Sequence, residues 1–410
     1  MPKPLHIALA KDRLQMVEDA IEANIFYHNQ LTHPTYVKKY FPIKLGENEL
    51  QYKSRPKISV PITQGIIDRI INILLKTMKI TSESIEIQEI INELYTKANF
   101  REQIRSILVN TIVTGNNLTV IIPGWKIPQI ILWQGEYVLN LGNQFGYCYT
   151  IDKERGAIPV TNSTIEKDII VVFIDEFMYG DLLHNFGINP SILTKNIDLY
   201  INNLYGKPFS LRFKDMVVDY NKVRSSENYQ IIDLPTIWLT TANINDPYNP
   251  IQLQPGTITS VGKDGDLKQA ARQVNIDPEE KYLETLERKI SAVSQVPGEL
   301  SGLKAVGQIP SGVALQILFE PLVEIVERFS SALLPKIVEI TDLAIKMYYL
   351  SNEKMYPIDT ELRIDLNKDI YPEAKNDTID RVLLLLEKGI IDLEQAKRMI
   401  DPVVDIDGIE

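Results

Sequence analysis

The chain has 410 residues, 44% of them apolar, which is enough to bury a substantial core and points to two or three structural regions. Its 43 Lys and Arg stand against 54 Asp and Glu, and the formal charge of −11 disfavours tight, phosphate-driven binding of nucleic acid. No uncharged apolar run approaches the roughly 20 residues that a bilayer span requires, so no membrane partner is expected. The N-terminal MPKPLHIALAKDRL has no long apolar core of a signal peptide, and Cys148 is the only cysteine, so folding in a reducing cytosol is expected.

In chain order, Leu14 to Leu31 is helix-like and Pro34 marks its end. YKSRPKISV, Tyr52 to Val60, leads through Pro61 into ITQGIIDRIINILLKTM, where Ile66, Ile67, Ile70, Ile71, Ile73 and Leu74 predict a helix buried on a broad face. Phe100 to Val113 places Ile104, Leu108, Ile112 and Val113 at helical spacing before Gly115. LTVIIPG, PQIILW and YVLNL then read as strands. From Gly146 to Leu239 the β signal dominates, in YCYTI, DIIVVFIDEF, SLRFK, MVVDY and PTIWLT. Thr241 to Asn275 is polar and rich in turn pairs, as a protruding or linking element would be.

The last third is helical. Asp277-Pro278-Glu279-Glu280 is a helix start, with Asp277 as N-cap and carboxylates at the positive end of the dipole. Tyr282, Leu283, Leu286, Ile290 and Val293 form its apolar stripe as far as Pro297-Gly298. After the glycine-rich GELSGLKAVGQIPSG, Ser311-Gly312 opens an apolar pattern of about 38 residues with Pro321 and Pro335 inside it, and each proline is expected to kink the helix. A helical hairpin is expected between Ile370 and Ile400.

Motifs for chemistry are weak. IIVVFIDE, ending in Asp175-Glu176, resembles a magnesium-binding strand of an ATPase, but the nearest phosphate-loop candidate, GTITSVGKD, has five residues between its glycines and an aspartate in place of the Mg-binding hydroxyl. His6, His28, His33 and His184 show no zinc-site spacing. Cys148, in the alternating YCY, reads as a small half-buried hydrophobe. The short basic run KSRPK, Lys53 to Lys57, reads as a solvated turn next to a strand, with DNA contact as the lesser reading because too few positive charges sit together for strong phosphate neutralisation. No catalytic site, metal or cofactor is assigned, and the chain is expected not to be an enzyme.

SQVPGELSG followed by QIPSGVALQILFEPLVEIVERF resembles the pattern of bacteriophage portal proteins, in which a helix ends at a VP step and a small-residue SG-x-A-L restarts a long kinked helix. SRPKISVPITQGIIDRIINILL with FREQIRSILVNTIVTGNNLTVII is similar to the portal wing, and IDLNKDIYPE with KGIIDLEQAKRMI is similar to the portal C-terminus. The resemblance implies an α+β subunit with a wing over residues 1–240 and a reduced stem and clip-like insertion over 241–278. A stem-type helix, tunnel loop and kinked helix would occupy 279–350, and a helical crown-like region 351–410. A first stem helix before the insertion is not visible in the sequence.

In portals the loop between the two helices, here 302–310, projects towards DNA. Lys304 and Gln308 would be its polar residues and Leu303, Val306 and Ile309 its apolar ones. The implied assembly is a homo-oligomeric ring of about twelve copies at a capsid vertex of the virion, built in the host cytoplasm. Its implied partners are double-stranded DNA bound without sequence preference, a terminase ATPase, capsid protein and a tail adaptor. Closed rings need a head-to-tail interface, and an acidic or neutral lining lets DNA slide. The alternatives are a head-tail adaptor or another virion component, and an ATPase using Asp175.

Overall fold

The computed structural model describes residues 10–44, 48–140, 144–152, 154–164, 168–184, 186–196, 204–228, 237–240, 267–270, 276–298, 312–354 and 362–366. The fold is α+β, with antiparallel sheets throughout the described residues. In chain order come α1 (Lys11–Tyr27), α2 (Val37–Tyr40), α3 (Glu49–Ser54), α4 (Ile62–Thr77), β1 (Met78–Ser82), α5 (Ile85–Lys97) and α6 (Phe100–Thr114). The β-rich stretch holds β2 (Asn116–Ile122), β3 (Gln129–Gln134), β4 (Val138–Asn140), β5 (Phe145–Asp152), β6 (Gly156–Ile158), β7 (Ile169–Ile174), β8 (Met178–Tyr179), β9 (Leu182–Leu183) and β10 (Ser191–Lys195). Then follow α7 (Lys214–Asn228), β11 (Ile237–Thr240), β12 (Leu267–Ala270), α8 (Asp277–Ser294), α9 (Gly312–Ser351) and β13 (Leu362–Leu366).

Contacts divide the chain into two compact units, one of residues 1–28, 61–214 and 291–410 and the other of 29–60 and 215–290. In the first, α4 buries Ile66, Ile67, Ile70, Ile71 and Leu74 as its spacing predicts. α6 buries Ile104, Leu108, Ile112 and Val113 and stops at Gly115, whose φ of +85° is the left-handed end that glycine adopts without strain. α5 is not among the expected elements, although Ile87, Ile90, Ile91 and Leu94 bury one helical face.

A three-stranded sheet, β10-β2-β3, packs against a larger one ordered β4-β5-β7-β8-β9 with β6 on β5. Leu118, Val120, Val138, Tyr147, Ile174 and Leu193 form the core, and Trp133 stacks on Tyr147 with ring centroids 3.8 Å apart. The other face of β5 buries Cys148 with Leu139 and Val160. The strand pattern is correct for YCYTI and IIVVFI but not for SLRFK and MVVDY, where a short 3-10 turn (Phe209–Arg212) and α7 stand instead.

α1 is locked to this assembly by a buried arginine. Arg13 donates to the carbonyl oxygens of Glu136 (3.0 Å), Val160 (3.2 Å) and Val138 (3.4 Å). The side chain of Glu136 is buried too: Oε1 accepts from Asn24 Nδ2 at 3.2 Å, while Oε2 has no hydrogen-bond partner, and burial pushes the carboxyl above its ordinary range. A carboxyl that holds its proton more tightly when folded makes stability fall as pH rises between the unfolded and the higher folded value. Glu136→Gln keeps an acceptor for Asn24 and has no charge to desolvate, so it is expected to unfold at a higher urea concentration than the parent chain at pH 7. That advantage disappears towards about pH 4, where the parent carboxyl is protonated; urea melts across this range read both effects.

In the second unit, α7 and α8 lie side by side, with Tyr220 Oη donating to Glu287 Oε1 at 3.3 Å. β11 and β12 pair in an antiparallel ladder from Ile237↔Ala270 to Thr240↔Leu267, which brings together the two ends of the segment 241–266. The segment 29–60 attaches through α7: Asn221 Oδ1 accepts from Val60 N–H and Ser225 Oγ from Ile58 N–H, both at 2.8 Å.

Candidate functional site

The residues predicted to face DNA, Leu303, Lys304, Val306, Gln308 and Ile309, lie outside the described residues, as do GTITSVGKD, His6 and the helical hairpin expected between 370 and 400. The elements on either side of residues 302–310 are described. α8 begins with Glu280 N–H bonded to the carbonyl of Ile276, so Asp277 is its first helical residue and not its cap. Leu283, Leu286 and Ile290 are buried, but Tyr282 and Val293 are exposed, at 46% and 36%; Glu287, under Tyr220 Oη, takes a place on the buried face. After Ser294 the chain turns through Gln295 at φ +58°, and Ser294 Oγ accepts from Val296 N–H at 3.2 Å.

Beyond the loop, α9 runs for 40 residues. Pro321 and Pro335 both stand on its exposed side, where the lost N–H bonds leave carbonyls that water can reach. Leu322, Val323, Ile325, Val326 and Phe329 form the buried side, and the Phe329 ring meets Phe209 edge-on at 5.4 Å. Glu320, Glu324, Glu327 and Arg328 share the exposed side at helical spacing, a mixed stripe of three carboxylates and one guanidinium.

The other sequence candidates have local structural roles. Asp175 closes the β7–β8 turn: Oδ1 accepts from the N–H groups of Phe177 (2.9 Å) and Met178 (2.8 Å), which hold its carboxyl below the usual carboxylate range. His184 Nε2 lies 3.0 Å from the Asp175 carbonyl. Cys148 is fully buried and its thiol is pushed up to about 11 by burial, so it is protonated at neutral pH. In KSRPK, Lys57 Nζ lies over the Tyr52 ring at 4.2 Å and bonds to the carbonyls of Tyr52 and Arg55, a local turn clamp. No helix among the described residues is long and apolar enough to cross a membrane.

No family model matches the chain, and no curated protein does. Among the solved structures similar to it are three at 11% identity. A chain from the neck of an empty gene transfer agent particle, computed with C6 symmetry, has a TM-score of 0.47 over 83% of this chain and 90% of that one. A chain from the virion of the native particle has 0.47 over 83% and 89%, and one from the native neck, computed with C12 symmetry, has 0.46 over the same shares. TM-scores below 0.5 assign no role to this chain, and the functional reading rests on its own residues.

Proposed function

We propose that the chain is a structural, non-catalytic subunit of a portal-like ring, a conduit for double-stranded DNA at a capsid vertex. The observation that carries this reading is the pair α7 and α8. The portal pattern calls for two stem helices flanking a small clip, and the sequence offered only the second. α7, misread as β, supplies a helix in the place of the first; Tyr220–Glu287 ties it to α8, and the β11–β12 ladder closes the base of the segment between them. The portal-like VP step and SG restart then lead into a 40-residue helix with two internal prolines, as the resemblance implies.

In this reading α7 and α8 are the stem, 241–266 the clip, the sheets and preceding helices the wing, 302–310 the tunnel loop and 351–410 the crown-like end. The proposed partners are further copies of the chain, DNA, a terminase ATPase that supplies the energy, capsid protein and a tail adaptor. Light scattering on the full chain after size exclusion is the test. A discrete mass of about twelve chains, stable on dilution, is the expected result. A mass of one chain at every protein and salt concentration contradicts it and favours a monomeric adaptor.

A further inference from the structure

The β2–β3 loop holds a tryptophan out in solvent. Trp125 is 91% exposed. The loop around it is fixed to the end of α9, with Gly124 N–H donating to Ser351 Oγ at 3.1 Å and Asn352 Nδ2 donating to the Lys126 carbonyl at 3.0 Å. Lys126 itself adopts φ +73°, a left-handed conformation that a side chain rarely takes and that the surrounding bonds must hold. A rigidly presented aromatic side chain followed by a cation has the form of an interface anchor.

A receiving surface lies at the other end of the same strand. Asn116, the first residue of β2, exchanges two hydrogen bonds with Gly206, and the loop carrying Gly206 forms with α1 a recess of about 380 Å³. Met16, Leu204 and Tyr205 contribute apolar surface, with Leu204 49% exposed. Asp12, Asp19 and Lys207 are its charged residues, so it has one more negative than positive charge. The seven residues of β2 span about 20 Å, so Trp125 cannot reach the recess of its own chain without dismantling the strand.

We infer that the Trp125–Lys126 loop of one copy inserts into the Asp12–Lys207 recess of the next, the indole against Met16, Leu204 and Tyr205 and the ammonium beside Asp12 and Asp19. The contact joins two different surfaces on opposite ends of one strand, which is the head-to-tail geometry that closes identical subunits into a ring. It rests on the ring reading proposed above.

Two measurements on the full chain test it. Trp125→Ala raises the concentration needed for assembly by at least about 10-fold with an unchanged far-UV circular dichroism spectrum, and Trp125→Phe recovers most of the loss. Gln15 also lines the recess, and in the double variant Lys126→Cys, Gln15→Cys a short bis-maleimide produces a ladder of linked chains that neither single variant produces; Cys148 is buried and does not compete. If the parent chain forms rings while Trp125→Ala assembles at the parent concentration and no ladder appears, the contact is wrong and the ring reading stands. A parent chain that stays monomeric overturns both.

Discussion

Gly206→Ala is expected to lower the free energy of unfolding by about 3–4 kcal/mol, a loss typical of severe local clashes. An added Cβ would stand 2.5 Å from the carbonyl oxygen of Asn196, 2.7 Å from its nitrogen, and closer still to the carbonyl oxygen of Gly115. All three are backbone atoms, so no side-chain rotation relieves the overlap. Two of them are bonded to each other, Asn196 N–H donating to the Gly115 carbonyl at 2.8 Å, and Gly206 N–H is itself held by Asn116 Oδ1 at 2.8 Å. Moving any of them disturbs the start of β2, the end of β10 and the loop that forms the recess. Gly156→Ala is the control. Its φ is +73° but nothing lies within 4 Å of an added Cβ, so only the left-handed strain remains, about 1 kcal/mol. Urea unfolding of both variants, followed by tyrosine and tryptophan fluorescence, separates the two.

Arg13→Ala is the second large effect, a loss of about 4 kcal/mol. The guanidinium is 1% exposed and supplies donors to three carbonyls on the 3-10 turn Gly135–Tyr137, on β4 and ahead of β7. Removing it leaves those oxygens facing a cavity, and each buried acceptor without a partner costs about 1–3 kcal/mol. Arg13→Lys recovers only part, because one ammonium cannot reproduce a planar fork of donors aimed at three oxygens. The same urea melts measure the order: parent, then Lys, then Ala.

These two residues also show what the sequence made legible. α4 and α6 were readable because apolar side chains at helical spacing face the core and Gly115 ends α6. α7 was not. Its buried face carries Asn221 and Ser225 beside Val217 and Tyr220, because those polar side chains accept from the N–H groups of Val60 and Ile58. A helix whose buried side bonds to a partner backbone loses the apolar period, and MVVDY alone reads as a short apolar run of the kind a strand shows. α8 was legible as a helix from Leu283, Leu286 and Ile290, although Glu287 takes the place of an apolar residue on its buried face. Nothing in the local sequence marks Arg13 as buried, because the carbonyls that accept from it lie more than 120 residues away.

The predicted site residues, 303–309, lie outside the described residues. Next to them, the long helix from Gly312 with Pro321 and Pro335 inside it was legible, and the charged run Glu320, Glu324, Glu327 and Arg328 was not singled out. Trp125 and the recess at Gly206 were not legible, since one depends on loop geometry and the other on residues about 190 positions apart meeting in space.

Negative-stain electron microscopy of the purified full chain tests the central proposal most directly. The account predicts closed rings of about twelve subunits with a central hole wide enough for a DNA duplex. A field of uniform single-chain particles, unchanged across protein and salt concentration, would contradict it.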